Sequence, residues 1–211
     1  MTRFILFISI LLTIPVFSQD KKAKAVLDKL GEKYESFKTV EVQITMTLEF
    51  PERGEETSDI EIIQSGSKFV YHSPEQDMYC NGKDLWLYLK DRNEVQINNY
   101  DDADDSGMIT PLDLLEEYRT GYYKYRHLGT EENLTQVELV PTDEWDDYAK
   151  IQLTINRKTN ILKRILAIGK DGSRITLRID NLTPNKKFKD QIFSFDIDKH
   201  EGIVVEDLRI D

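Results

Sequence analysis

Thr39–Phe50 reads TVEVQITMTLEF, and its alternation is strict. Val40, Val42, Ile44, Met46, Leu48 and Phe50 occupy one phase; Glu41, Gln43, Thr45, Thr47 and Glu49 occupy the other. Successive side chains of an extended chain point to opposite faces. Period two therefore predicts a long strand with one apolar and one polar face. Just upstream the period is different. In KKAKAVLDKLGEKYESF, Ala23, Val26, Leu27, Leu30, Tyr34 and Phe37 recur at helical spacing, which predicts one amphipathic helix with an apolar stripe.

Downstream the extended pattern repeats. SDIEIIQ, SKFVYH, QDMYC, DLWLYLK, NEVQI, TQVELV, KIQLTI, ILKRILAI, SRITLRI and IFSFDI all read as strands. Turn residues separate several of them: Ser65-Gly66, Asn81-Gly82-Lys83, Asn160 and Asp171-Gly172. Short connections of this kind join antiparallel neighbours, so the sheet is expected to be mostly antiparallel. One helical signal interrupts the series. Thr110 is an N-cap residue, Pro111 suits the first helical position and Asp113 the capping-box acid, with Leu112, Leu114, Leu115 and Tyr118 following.

A sheet with one apolar face has to cover it. About ten strands make a face too wide for two short helices to seal as a flat layer. The expected fold is mainly β with helices (α+β): a large antiparallel sheet curled into a barrel or half-barrel, with the helices as plug or lid. Side chains or a ligand fill the remaining space.

The first residues, MTRFILFISILLTIPVFSQD, carry Arg3, an apolar run from Phe4 to Ile14 and small-residue character at Val16-Phe17-Ser18. That is the layout of a signal peptide cleaved near Ser18, on an apolar run too short to span a bilayer comfortably. Residues 1–18 are read as leader and 19–211 as a single exported domain. Lys and Arg number 28 against 39 Asp and Glu, a formal charge of −11, which disfavours nucleic acid and anionic lipid surfaces. Cys80 is the single cysteine, so no internal disulfide is available; its apolar neighbours suit a buried, inert thiol.

YDDADDSGMITPLD (Tyr100–Asp113) resembles a calcium loop in its spacing: Asp102, Asp104, Ser106, Gly107, Ile109 and Asp113 fall at EF-hand places. An EF-hand needs a helix on each side, and NEVQINN before it reads as a strand. The stretch is better taken as an acidic hinge ahead of the Pro111 helix, with no metal site. His72, His127 and His200 lack metal-ligand spacing, and there is no G-x-S-x-G, phosphate-binding glycine loop or CxxC. No catalytic constellation, cofactor or metal is expected.

SKFVYHSPEQDMYCNGKDLWLYLKDRNEVQI resembles the periplasmic outer-membrane lipoprotein carriers, the LolA family. The likeness is carried by Phe69 and Tyr71, then Pro74, then Asn81-Gly82-Lys83-Asp84-Leu85-Trp86-Leu87-Tyr88. Glu94–Ile97, GYYKYRHLG (Gly121–Gly129) and the ending FSFDIDKHEGIVVEDLR are similar to the version of the family found in Bacteroidetes-type bacteria. The resemblance implies an unclosed half β-barrel, lidded by helices, with an apolar cavity for acyl chains. It also implies partners: triacylated lipoproteins, an inner-membrane lipoprotein-releasing ABC transporter, and an outer-membrane acceptor. Such a protein is a periplasmic monomer that performs no chemistry. LolA-like half-barrels also serve lipid-sensing regulators, and a carrier of another envelope lipid is the further alternative.

Strand phase then names a lining. Val42, Ile44, Met46 and Leu48 point into the concavity, joined by Phe69, Tyr71 and Met78. Leu27 and Leu30 of the first helix and Leu112 and Leu115 of the second close its mouth. In DLWLYLK both phases are apolar, Leu85, Leu87 and Leu89 against Trp86 and Tyr88, so either set can face inward. Many members of the resembled family carry a lid-latching basic residue four positions before the aromatic at Phe69. Here that position is Ser65, and Lys68 serves only with a shifted register.

Overall fold

The computed structural model describes residues 20–100 and 117–209. The leader, the acidic calcium-like stretch, the Pro111 helix start, Leu112 and Leu115 lie outside these residues. Helix α1 (Lys21–Glu35) starts at Asp20, whose Oδ1 accepts hydrogen bonds from the Lys22 and Ala23 amides at 2.8 and 3.3 Å. The other oxygen of Asp20 accepts from the His127 amide at 2.9 Å, so one side chain both caps the helix and pins it to the sheet. Among the described residues no helix is long and apolar enough to cross a membrane.

Twelve strands follow among the described residues. They are β1 (Val40–Phe50), β2 (Gly54–Ser65), β3 (Lys68–His72), β4 (Gln76–Cys80), β5 (Asp84–Leu89) and β6 (Glu94–Asn99), then β7 (Tyr123–Glu131), β8 (Leu134–Pro141), β9 (Tyr148–Asn156), β10 (Ile161–Gly169), β11 (Arg174–Pro184) and β12 (Val204–Asp207). They form one open sheet in the order β12-β6-β5-β4-β3-β2-β1-β11-β10-β9-β8-β7. All pairs are antiparallel except β12 with β6, which is parallel. The fold is the expected large, mostly antiparallel, unclosed sheet with short helices. Left-handed turn residues stand where turn chemistry placed them: Gly66, Gly82, Asn160 and Gly172 all have positive φ.

Register shows why β1 organises the fold. Met46 pairs Leu177, which pairs Ile165, then Leu153, then Val137. In the other direction Val42 pairs Ile62, then Tyr71, then Met78, then Leu87. Paired residues share a face, so the apolar phase of β1 continues across the sheet as one inner face. Helix α1 packs on this face over β7 and β10.

One sequence expectation fails. IFSFDI is not a strand but two short 3-10 turns, Asp190–Phe193 and Ile197–Lys199. Phe193 and Phe195 are buried, and the Phe195 ring lies 5.5 Å from Tyr79 and 5.1 Å from Tyr88. His200 stacks on Phe195 at 4.5 Å. Tyr79 and Tyr88 belong to the outer face, so this segment covers the back of β4 and β5 instead of extending the sheet. Alternating aromatics were anchors onto another layer, a role with the same spacing as a strand.

Candidate functional site

The predicted lining divides between two apolar clusters. Leu27 and Leu30 are fully buried with Tyr34, Tyr118, Tyr125, Leu139 and their neighbours, between α1 and β7–β10. Val42, Ile44, Tyr71 and Met78 are buried in a second cluster on β1–β5, with Met46 and Phe69 packed against it, half-buried. Leu48 is half-buried on the same strand face. Phe37, Leu177 and Leu182 touch both clusters and join them.

The two halves differ in cover. Over β7–β10 the inner face is sealed by α1. Over β1–β5, Met46, Leu48, Ile62, Phe69 and Leu87 are neither buried nor fully exposed. They form an apolar strip across adjacent strands. The phase left open in DLWLYLK is decided by register: Leu85 pairs Cys80 and Leu87 pairs Met78, so the leucines face inward. Trp86 and Tyr88 face out, and Tyr88 packs on Phe195 of the covering segment. The outward phase is apolar because that segment covers it.

The strip offers no reactive group. Cys80 is fully buried; burial pushes its thiol up from the ordinary value, and its sulfur is engaged by the Gly82 amide at 3.3 Å. Burial likewise raises the Tyr71 phenol. Among the described residues no group of three His, Cys, Asp or Glu side chains is arranged to hold a metal ion. What the strip can do is bury apolar material.

Lys68 does not reach this face. It shares the outer face with Val70 and His72, and its Nζ lies 3.2 Å from Asp190. The contact that fastens α1 to the chain entering β7 is one that sequence reasoning missed. The Tyr118 hydroxyl donates to Asp28 at 2.9 Å, and Arg119 forms an ion pair with Glu35. Gly31 makes room for it: a Cβ there would stand 2.6 Å from Arg119 Nη2. No linear signal marks this pairing, since its members lie on segments far apart in the chain.

A half-barrel whose apolar inner face is half-exposed along one strip offers a surface on which apolar material can be buried. The chain belongs to the LolA family: residues 66–196 match the family described as "Outer membrane lipoprotein carrier protein LolA". The fold is similar to that of an uncharacterized conserved protein from Thermus thermophilus. That likeness has 10% identity and a TM-score of 0.58, over 89% of this chain and 99% of the other. The lipoprotein LppX of Mycobacterium tuberculosis is similar at 15% identity and a TM-score of 0.50, over 81% and 98%. A LolA superfamily protein from Nitrosomonas europaea aligns at 16% identity and a TM-score of 0.46, over 82% and 97%. No curated protein matches the sequence.

Proposed function

We propose that this protein is a periplasmic carrier that shields the acyl chains of lipoproteins and moves them from the inner to the outer membrane. The carrying observation is the apolar strip Met46, Leu48, Ile62, Phe69 and Leu87, left half-buried on the inner face beside the packed cluster of Val42, Ile44, Tyr71 and Met78. Family membership supports the cargo class. Each acyl CH₂ withdrawn from water is worth about 0.8 kcal/mol, so even one chain rewards a modest apolar surface. Met46 in the strip and Met78, buried and paired with Leu87, lend this face deformability, which suits cargo that has to be released. An inner-membrane ABC transporter would load the carrier and an outer-membrane acceptor would unload it; no catalytic step is assigned to the carrier. The signal-type leader supports export to the periplasm.

The test is release of lipoprotein from spheroplasts by the purified mature protein. Soluble one-to-one complexes containing triacylated lipoprotein are expected. Release of none, while an established carrier releases it in parallel, would reject the proposal. Co-purified lipid other than lipoprotein, identified by mass spectrometry, would reassign the cargo to another envelope lipid.

A further inference from the structure

The sheet has a notch. β2 runs from Gly54 to Ser65 and pairs with β1 from Gly54 to Gln64, but β3 accompanies it only from Glu61 to Ser65. Beyond the Glu61–His72 pair the chain turns away at Ser73-Pro74. Proline has no amide hydrogen and cannot continue a ladder. Among the described residues, Gly54–Ile60 therefore has a strand on one side only, and half of its backbone groups lack a ladder partner.

The end wall of the notch is built rigidly. Ser73 and Gln76 exchange three hydrogen bonds of 2.9–3.1 Å, and Lys90 Nζ holds the Ser73 carbonyl at 2.5 Å. At this corner a cavity of about 520 Å³ opens between β1, β2 and the turn, lined by Asp59, Glu61, His72, Ser73, Pro74 and Asp180 among others. This concavity is separate from the apolar strip: Asp59, Glu61 and His72 take outer-face positions. Along the bare edge stand Glu55, Glu56 and Asp59, with Glu61 where β3 ends, and none of the four has an ion-pair partner among the described residues.

We propose that this edge is a docking site for an extended, lysine- or arginine-bearing peptide segment of a partner protein, which adds as a strand in the track that β3 vacates. Main-chain hydrogen bonds to Gly54–Ile60 would supply register, and the carboxylates would select the basic partner. The same four carboxylates repel a second copy of this acidic chain, which separates the edge from a self-pairing one. The alternation of β2 places Glu55, Asp59 and Glu61 on the outer face, so basic side chains at every second peptide position would meet them.

The probe is a ten-residue peptide alternating lysine with threonine and valine. Amide hydrogen exchange of the full mature chain is read with and without it. At saturation, alternate amides within residues 54–60 are expected to slow at least tenfold, and E55K/D59K to weaken binding at least tenfold. Two further peptides carry N-methyl groups on odd or on even amides. Strand addition to a single edge predicts that only one of them loses binding. Equal binding by both would overturn the proposal in favour of charge attraction alone. Protection located on β7 or β12 would overturn it, as would protection of 54–60 that appears without peptide and rises with protein concentration.

Discussion

Tyr118 donates its hydroxyl hydrogen to Asp28 across 90 positions of sequence, at 2.9 Å, and so ties the residues entering β7 to the middle of α1. Asp28 also receives Lys24 Nζ at 2.8 Å, one turn earlier on the same helix. Removing the hydroxyl in Y118F leaves the ring in its cluster and Asp28 still paired. A loss of about 1 kcal/mol is expected. For a chain of this size that is a fall in melting temperature of about 2–4 °C, read by calorimetry. An unchanged melting temperature would show that the contact contributes nothing.

Gly31 and Arg119 make a second test of the same junction. Alanine in place of glycine gains about 1 kcal/mol in a helix interior, but its Cβ would meet Arg119 Nη2 at 2.6 Å and push the guanidinium off Glu35. That ion pair is exposed and worth about 0–1 kcal/mol. G31A should therefore be close to neutral alone, and should stabilise more in an R119A background. Additive effects in the double-mutant cycle would rule out the steric coupling.

The inner face separates packing from binding. Ile44 is 3% exposed, whereas Met46, two residues on, is half-buried. I44E should unfold the protein, because a carboxylate would be buried without a partner. M46E and L87E should keep the circular dichroism spectrum and weaken a fluorescent acyl probe at least tenfold, about 1.4 kcal/mol. If both variants bind the probe as tightly as the parent, acyl chains sit elsewhere.

Glu138 predicts an acid limb. It lies on the outer face of β8, 3% exposed, with Oε1 2.7 Å from Arg126 Nε and Oε2 3.0 Å from Gln152 Nε2 and 3.3 Å from Lys150 Nζ. Burial alone would raise its carboxyl, but the Gln152, Arg126 and Lys150 hydrogen bonds hold it below the ordinary 4.5. Its contribution is therefore complete above about pH 4.5 and lost as pH falls through the lowered value. E138Q should cost about 1–3 kcal/mol at neutral pH, with the gap from the parent narrowing below pH 4.5. A gap constant down to pH 3 would contradict this account.

Much of the fold was legible because period two is a local property. Val40 to Phe50 needs no partner to declare a face, and glycine or asparagine at positions of positive φ declares a turn. The same local rule misread Phe193 and Phe195, since alternation cannot distinguish a strand from aromatic anchors on a neighbouring layer. It also left Leu85, Leu87 and Leu89 unresolved against Trp86 and Tyr88. That ambiguity had a cause: the segment around Phe195 covers the outer face there, so both phases are apolar.

Alternation, turn residues and an ordered set of motifs sufficed for the open antiparallel sheet, its apolar face and the family. Where α1 rests, which leucines face inward, and which part of the apolar face stays half-exposed depend on contacts between segments far apart in the chain. Leu27 and Met46 look alike as apolar residues in regular periods. One is sealed between α1 and β7–β10 and the other is not, because cover comes from elements distant in the chain, and periodicity carries no record of them.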